Sequence, residues 1–132
     1  MEDIDYNLSL EILEKDIWSE PNYDSYLVTR CHALRKIPLN QFTVEDLRIL
    51  IGQNFSINYL IPIAIEHLED NPWCRGDFYD GDLLQNVLRI NSEYWKHHED
   101  LFYRLSEIMV RVFSQIETFE KGLLPAWKNL NK

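Results

Sequence analysis

The chain has 132 residues, 45% hydrophobic and 27% charged, the size and balance of one globular domain (1–132) able to bury a core without metal or disulfide staples. Its net charge of −9 is the wrong sign for gripping phosphate backbones or anionic lipid, and the right sign for a basic protein partner. The opening run MEDIDYNLSLEILEKD lacks the basic start and apolar stretch of a signal peptide, and no apolar run approaches a membrane span, so the expected location is the cytoplasm. Cys31 and Cys74, the two cysteines, then read as reduced, buried thiols.

In chain order the pattern is helical almost throughout. Residues 8–18 carry Leu8, Leu10, Ile12, Leu13 and Ile17 as a short amphipathic helix, broken by Pro21 and Asn22. Asp24 can cap a second helix with Leu27, Val28, Cys31 and Leu34 inward, ending before Pro38. Thr43 caps a third, with Glu45 and Asp46 in its first turn, Leu47, Leu50 and Ile51 as its apolar stripe, and Gly52 as its stop. The segment 57–70 is apolar on most sides, which predicts a central helix. Pro62 inside it implies a start near Asn58 or a kink. Asn71-Pro72 ends it, and a loop of turn residues runs to Gly81, with a small hairpin as its alternative. Asp80 or Asp82 can cap a fifth helix that turns Leu83, Leu84, Val87 and Leu88 inward. The last helix is predicted over 92–120, capped by Ser92. Its seam runs through 94, 98, 101, 105, 108, 112, 116 and 119, and Gly122 and Pro125 stop it. A short turn through Trp127 follows. The expected fold is all-α, a single compact bundle of about five to seven helices with a long C-terminal helix. That helix can pack within the bundle or against a second copy.

Candidate chemistry is sparse. Glu93, His97, His98, Glu99 and Asp100 suggest a metal cluster, but His98 falls on the apolar seam, and residue 102 is Phe where a zinc-protease pair needs His. Asp77, Asp80 and Asp82 beside Gly81 suggest a calcium loop, but the twelfth position from Asp77 is Leu88 rather than a bidentate Glu. No serine or cysteine sits in a nucleophile motif, and the four glycines form no phosphate-cradling loop. The chain therefore reads as a non-enzyme with no catalytic residue, no metal and no cofactor.

Charge placement says more. Residues 1–24 hold eight acids and one base, and residues 66–82 hold six acids and one base, which leaves the rest of the chain at +3. Each acidic cluster is either a solvated face or a face that steers and holds a basic partner. In the second cluster Glu66, Glu69, Asp70, Asp77, Asp80 and Asp82 surround Trp73, Phe78 and Tyr79. Acids around aromatic anchors are how many interface hot spots are built, though the aromatics can equally cap the end of the bundle. These nine residues are the candidate partner-binding set.

One further pattern carries a likeness. Phe42-Thr43-Val44-Glu45-Asp46-Leu47-Arg48, Ile51-Gly52-Gln53-Asn54, Tyr59-Leu60-Ile61-Pro62-Ile63-Ala64, Leu68, Asn71-Pro72, Gly76-Asp77-Phe78-Tyr79-Asp80-Gly81-Asp82-Leu83-Leu84 and Val87-Leu88 together resemble a family of bacterial contact-dependent growth inhibition immunity proteins. The likeness covers about 42–88 and carries nothing over to 1–40 or 90–132. It implies a cytoplasmic, non-catalytic protein that binds and neutralises the C-terminal toxin domain of a cognate effector. Such toxins are often nucleases, frequently acting on tRNA, and a nuclease needs the basic cleft that an acidic protein can plug. Direct nucleic-acid or membrane contact is not expected. The shared residues would serve mainly as scaffold: Gly52 as helix stop, Asn54 bonding a loop backbone, Pro62 shaping the central helix. The alternative is a non-catalytic helical adaptor or regulator of another basic protein.

Overall fold

The computed structural model describes residues 3–21 and 25–130. Asn22 and Asp24, expected as helix breaker and cap, lie outside them, as does Glu2 of the first acidic cluster. The helices are α1 (Leu10–Glu14), α2 (Tyr26–Leu34), α3 (Val44–Gly52), α4 (Ile57–Asp70), α5 (Asp82–Leu88), α6 (Ser92–Lys96), α7 (Glu99–Thr118) and α8 (Leu124–Leu130), with a 3-10 turn at Leu39–Gln41. A π-helical turn, Phe119–Leu123, joins α7 to α8 without a break, so the described residues form seven helical rods, the last much the longest. The described residues contain no strand; two isolated antiparallel bridges join Ser9 to Pro38 and Arg75 to Asp80. The all-α expectation holds.

Helix α4 is the axis of the core. Every residue from Leu60 to Ile65 is buried, and so is Leu68. A helix buried on consecutive positions is covered on all sides, and α3, α5 and α7 all pack on it. Pro62 comes one turn after the helix starts at Ile57, where its missing N–H forfeits a single hydrogen bond. Helix α3 opens with a reciprocal capping box. The Thr43 hydroxyl accepts from the Asp46 N–H (3.2 Å), and the Asp46 carboxylate accepts from the Thr43 N–H (3.0 Å). Helix α2 is capped by Ser25, whose hydroxyl accepts from Val28.

The first helix is shorter than its periodicity predicts. It stops at Glu14 because Lys15 takes the left-handed conformation (φ 54°). Ile17 is left exposed and Trp18 turns inward. The cause is Arg35, which is 2% exposed. A buried guanidinium must be given acceptors. Arg35 donates to the Glu14 carboxylate and to the Asp16 carbonyl (2.7 Å), and lies 4.5 Å over the Trp18 ring. Only a chain that leaves the helix after Glu14 can present all three groups to it.

The last helix also departs from expectation. It begins as α6, capped by Asn91 rather than Ser92, the Asn91 side chain accepting from the Glu93 N–H (2.7 Å). It then breaks at His97 and His98. The His98 ring stacks on Tyr94 (4.0 Å), and its Nδ1–H donates to the Tyr94 carbonyl (2.7 Å). The side chain thus takes the acceptor that the residue's own N–H uses in a continuous helix. At the other end Gly122 and Pro125 do not stop the rod. The wider π turn ahead of Pro125 makes room for a ring that an α turn rejects. Leu88, expected inward, is 46% exposed.

Leu105 sits buried in the seam of α7 with Leu101, Ile108 and Val112. Leu105→Ala should lower unfolding free energy by about 2–5 kcal/mol in urea titration; a change near zero would mean that α7 is not packed there. Tyr94 gives a second test. Its hydroxyl is buried and makes no hydrogen bond among the described residues, and burial pushes its pKa to about 12. An acid whose folded pKa is raised contributes stability present below its ordinary 10.0 and lost as pH climbs toward the folded value. Tyr94→Phe should therefore remove part of the alkaline loss of stability, and should gain roughly 1 kcal/mol at neutral pH by deleting an unsatisfied polar group.

Candidate partner-binding site

Helix α4 ends at Asp70, and the loop 71–81 doubles back over the end of the bundle. The Asn71 side chain accepts from the Trp73 N–H (3.0 Å), and Gly81 donates to the Trp73 carbonyl (3.1 Å). Gly81 adopts φ 90°, a conformation that disfavours side chains, and the Trp73 ring lies within 3.4 Å of where its Cβ would stand.

Asp82 locks this loop from inside. The expectation of Asp82 as part of the outward acidic face is corrected: it is 2% exposed. It is not the helix cap. Its carboxylate accepts from the backbone N–H groups of Gly76 (2.6 Å), Phe78 (3.1 Å) and Tyr79 (3.4 Å) and faces Arg48 Nε at 3.8 Å. Gly81 holds the cap position of α5 instead. Glu45 completes the clamp. It accepts from the Asp77 N–H (3.0 Å) and from Arg48 Nη2 (2.6 Å), and the Arg48 guanidinium lies 4.1 Å over the Phe78 ring. The hydrogen bond from Arg48 holds the Glu45 carboxyl below the usual carboxylate range and raises Arg48 in turn. Desolvation and the adjacent Glu45 push the Asp77 carboxyl up. A Cβ at Gly76 would collide with Glu45 Oε1 and push that carboxylate off the Asp77 N–H and Arg48.

The predicted residues divide. Asp77, Phe78, Tyr79 and Asp80 stand outward, Phe78 67% exposed. Asp80 pairs loosely with Arg75 (3.7 Å). Trp73 keeps part of its face open, but its Nε1–H donates to Gln115 on α7 (2.6 Å). Glu66 and Asp70 are exposed on α4. Glu69 is also exposed, yet engaged: Arg104 donates to both its oxygens (3.0 and 2.6 Å), Arg111 donates to its carbonyl, and the Arg104 bond lowers its pKa. One edge of the set thus leans on α7 and the other on α3. In the first acidic cluster Glu14 is consumed by Arg35, and Glu20 meets Lys36 at 3.3 Å.

The other candidates settle differently. His97 and Glu93 are exposed and 3.9 Å apart, and no three His, Cys, Asp or Glu among the described residues are grouped to hold a metal. Cys31 is buried and Cys74 half-buried, both are free, and burial pushes both thiols up, away from the reactive thiolate. Asn54 serves through its backbone (φ 62°). Sequence reasoning missed Glu45 and Arg48 as clamp residues. Their one signal was the three-residue spacing that lets them pair on a helix.

A family model described as CDI immunity proteins matches residues 12–105. The chain belongs to this family. The match exceeds the 42–88 stretch of the sequence likeness, beginning in α1 and ending in the buried seam of α7. No curated protein and no solved structure matches the chain. For this immunity protein the family sets the binding and neutralisation of a cognate toxin as the function class, a role that is generally non-catalytic. No helix among the described residues is long and apolar enough to cross a membrane.

Asp82→Ala should leave helical content intact and speed amide exchange at Gly76, Phe78 and Tyr79, with a stability loss of about 1–3 kcal/mol. Unchanged exchange at those amides would mean that the loop is held by something else.

Proposed function

We propose that this immunity protein works in the cytoplasm by binding a basic toxin domain, a nuclease of tRNA-cleaving type, through the loop 73–80 and the adjoining end of α4. The observation that carries this reading is the clamped loop, which holds Asp77, Phe78, Tyr79 and Asp80 outward while its backbone is tied to Asp82 and Glu45. Glu66, Glu69, Asp70 and Trp73 extend the surface toward α7, and Asp82 contributes from inside as the anchor. Two supports come from physics. A nuclease cleft must be basic to hold phosphates, and a protein of net −9 with acids around aromatic side chains is complementary to it. A loop already ordered before binding loses little conformational entropy on docking. The immunity protein itself touches neither nucleic acid nor membrane, and carries no catalytic group.

The test is co-expression with the toxin domain encoded immediately upstream. A stoichiometric complex on a sizing column, with toxin activity on tRNA blocked by equimolar immunity protein, is the expected result. The double reversal Asp77→Lys/Asp80→Lys should weaken binding at least ~10-fold with the helical signal unchanged, as interface hot-spot charges do. The association rate should fall steeply with added salt. Full affinity in the folded double variant would remove the toxin contact from this loop.

A further inference from the structure

A groove of about 510 Å³ opens on the α3 side of the clamped loop, within the size range of clefts that hold ligand groups. Helix α3 lines it from Glu45 to Gly52, a run of roughly 10 Å at 1.5 Å per residue. The first residues of α2 and the loop itself supply the rest of its lining. The apolar part is left in water. Tyr26 is 71% exposed and Phe78 67%, with Leu27 beside Tyr26 and Ile49 buried beneath. The charges differ along its length. Glu45 and Arg48 neutralise each other at 2.6 Å. That leaves Asp77 and Arg89, neither of which forms an ion pair among the described residues. Asp77 lies at the start of α3, where its N–H meets Glu45. Arg89 lies toward Gly52, beside which it also lines an adjoining hollow with Asn91.

Two facts identify the occupant. The chain belongs to a toxin-binding family, and Asp77 and Phe78 line the groove while also forming part of the loop proposed to carry the toxin. A toxin seated on that loop meets the mouth of the groove. Desolvation and the neighbouring Glu45 make the charge of Asp77 costly in the free protein, and a cation beside it offsets that cost. Arg89 asks for the opposite sign. Between them the aromatic and aliphatic side chains ask for an apolar group. We infer that the groove receives a short segment of the toxin, in which a basic side chain meets Asp77, an apolar side chain lies against Tyr26 and Phe78, and an acidic side chain meets Arg89. This inference rests on the loop reading and adds the partner's chemistry to it. An all-basic segment is repelled at Arg89 and an all-acidic one at Asp77. The order of charges thus fixes the direction of the segment and rejects toxins that lack it.

The test is the affinity of the full chain for the toxin domain encoded immediately upstream, read with substitutions outside the loop. Tyr26 and Arg89 are both exposed, so Tyr26→Ala and Arg89→Glu should keep the helical signal, and each should weaken binding ~10-fold. Added negative charge on its own favours a basic toxin, so only a local acidic contact makes Arg89→Glu weaken the complex. One acidic residue of the toxin, changed to lysine, should restore affinity for Arg89→Glu while losing it for the wild type. If Tyr26→Ala and Arg89→Glu change nothing while Asp77→Lys/Asp80→Lys weakens binding, the toxin rests on the loop and leaves the groove empty. That result overturns this inference alone. Tighter binding by Arg89→Glu also overturns it, because the occupant is then cationic throughout. A wild-type chain that does not bind the toxin overturns the loop reading first, and this inference with it.

Discussion

A carboxylate withdrawn from water must recover its hydrogen bonds from the protein, and Asp82 recovers them from the loop that precedes it. Three backbone N–H groups, of Gly76, Phe78 and Tyr79, converge on one buried side chain. The loop cannot open without breaking all three of these hydrogen bonds together, each worth about 1 kcal/mol or more when the acceptor is charged. Glu45 and Arg48 extend the same logic to α3, so that the loop, α3 and the start of α5 form one electrostatic unit at this end of the core. The acidic surface outside rests on an acidic residue inside. The two kinds of acid differ in setting: Asp82 is enclosed by its internal partners, whereas Asp77 and Asp80 stand in solvent with only loose contacts.

This division explains what could be read from the sequence. Helix α3 was legible because its cap, its first-turn acids and its apolar stripe all point the same way, and α4 because continuous apolarity bounded by Asn71-Pro72 leaves few alternatives. The break at His98 was not legible. The apolar steps pass through 94, 98 and 101 without a stagger, and the break depends on a histidine side chain capturing the Tyr94 carbonyl. Nor did periodicity show that α1 must end at Glu14, since the demand comes from Arg35, some twenty residues away in the chain. Asp82 was misplaced for a related reason. An acid in an acidic stretch reads as surface, and its partners are backbone amides, which every neighbouring residue has and no sequence pattern marks.

Arg35 and Asp82 are solutions to the same problem at opposite signs. Each is a fully buried charge that fastens a non-helical segment to the helical core. Arg35 gathers the Glu14 carboxylate, the Asp16 carbonyl and the Trp18 ring; Asp82 gathers the loop amides. Buried charges are poor sources of net stability compared with apolar side chains. What they add here is geometry, because their hydrogen bonds specify one path for segments that have no helical periodicity of their own. The family match spans both, from residue 12 through 105, so the matched region contains most of the core and both fasteners together.

The chemistry of the second fastener also bears on how such a surface can be specific. The clamp holds the loop by backbone N–H groups, at Gly76, Asp77, Phe78 and Tyr79. Gly76 and Gly81 are restricted by what surrounds them, Gly76 by Glu45 and Gly81 by its φ of 90° and the Trp73 ring. The outward side chains of Asp77, Tyr79 and Asp80 make no contribution to the bonds that fix the loop's path at Asp82, and Phe78 adds only its ring over Arg48. Substituting them changes the charge and shape offered to a partner while the backbone that presents them stays tied. A scaffold fastened mainly through amides tolerates more change in its outward side chains than one held by side-chain contacts alone. On the proposed reading of this loop, that property would let the surface offered to a toxin change without rebuilding the core.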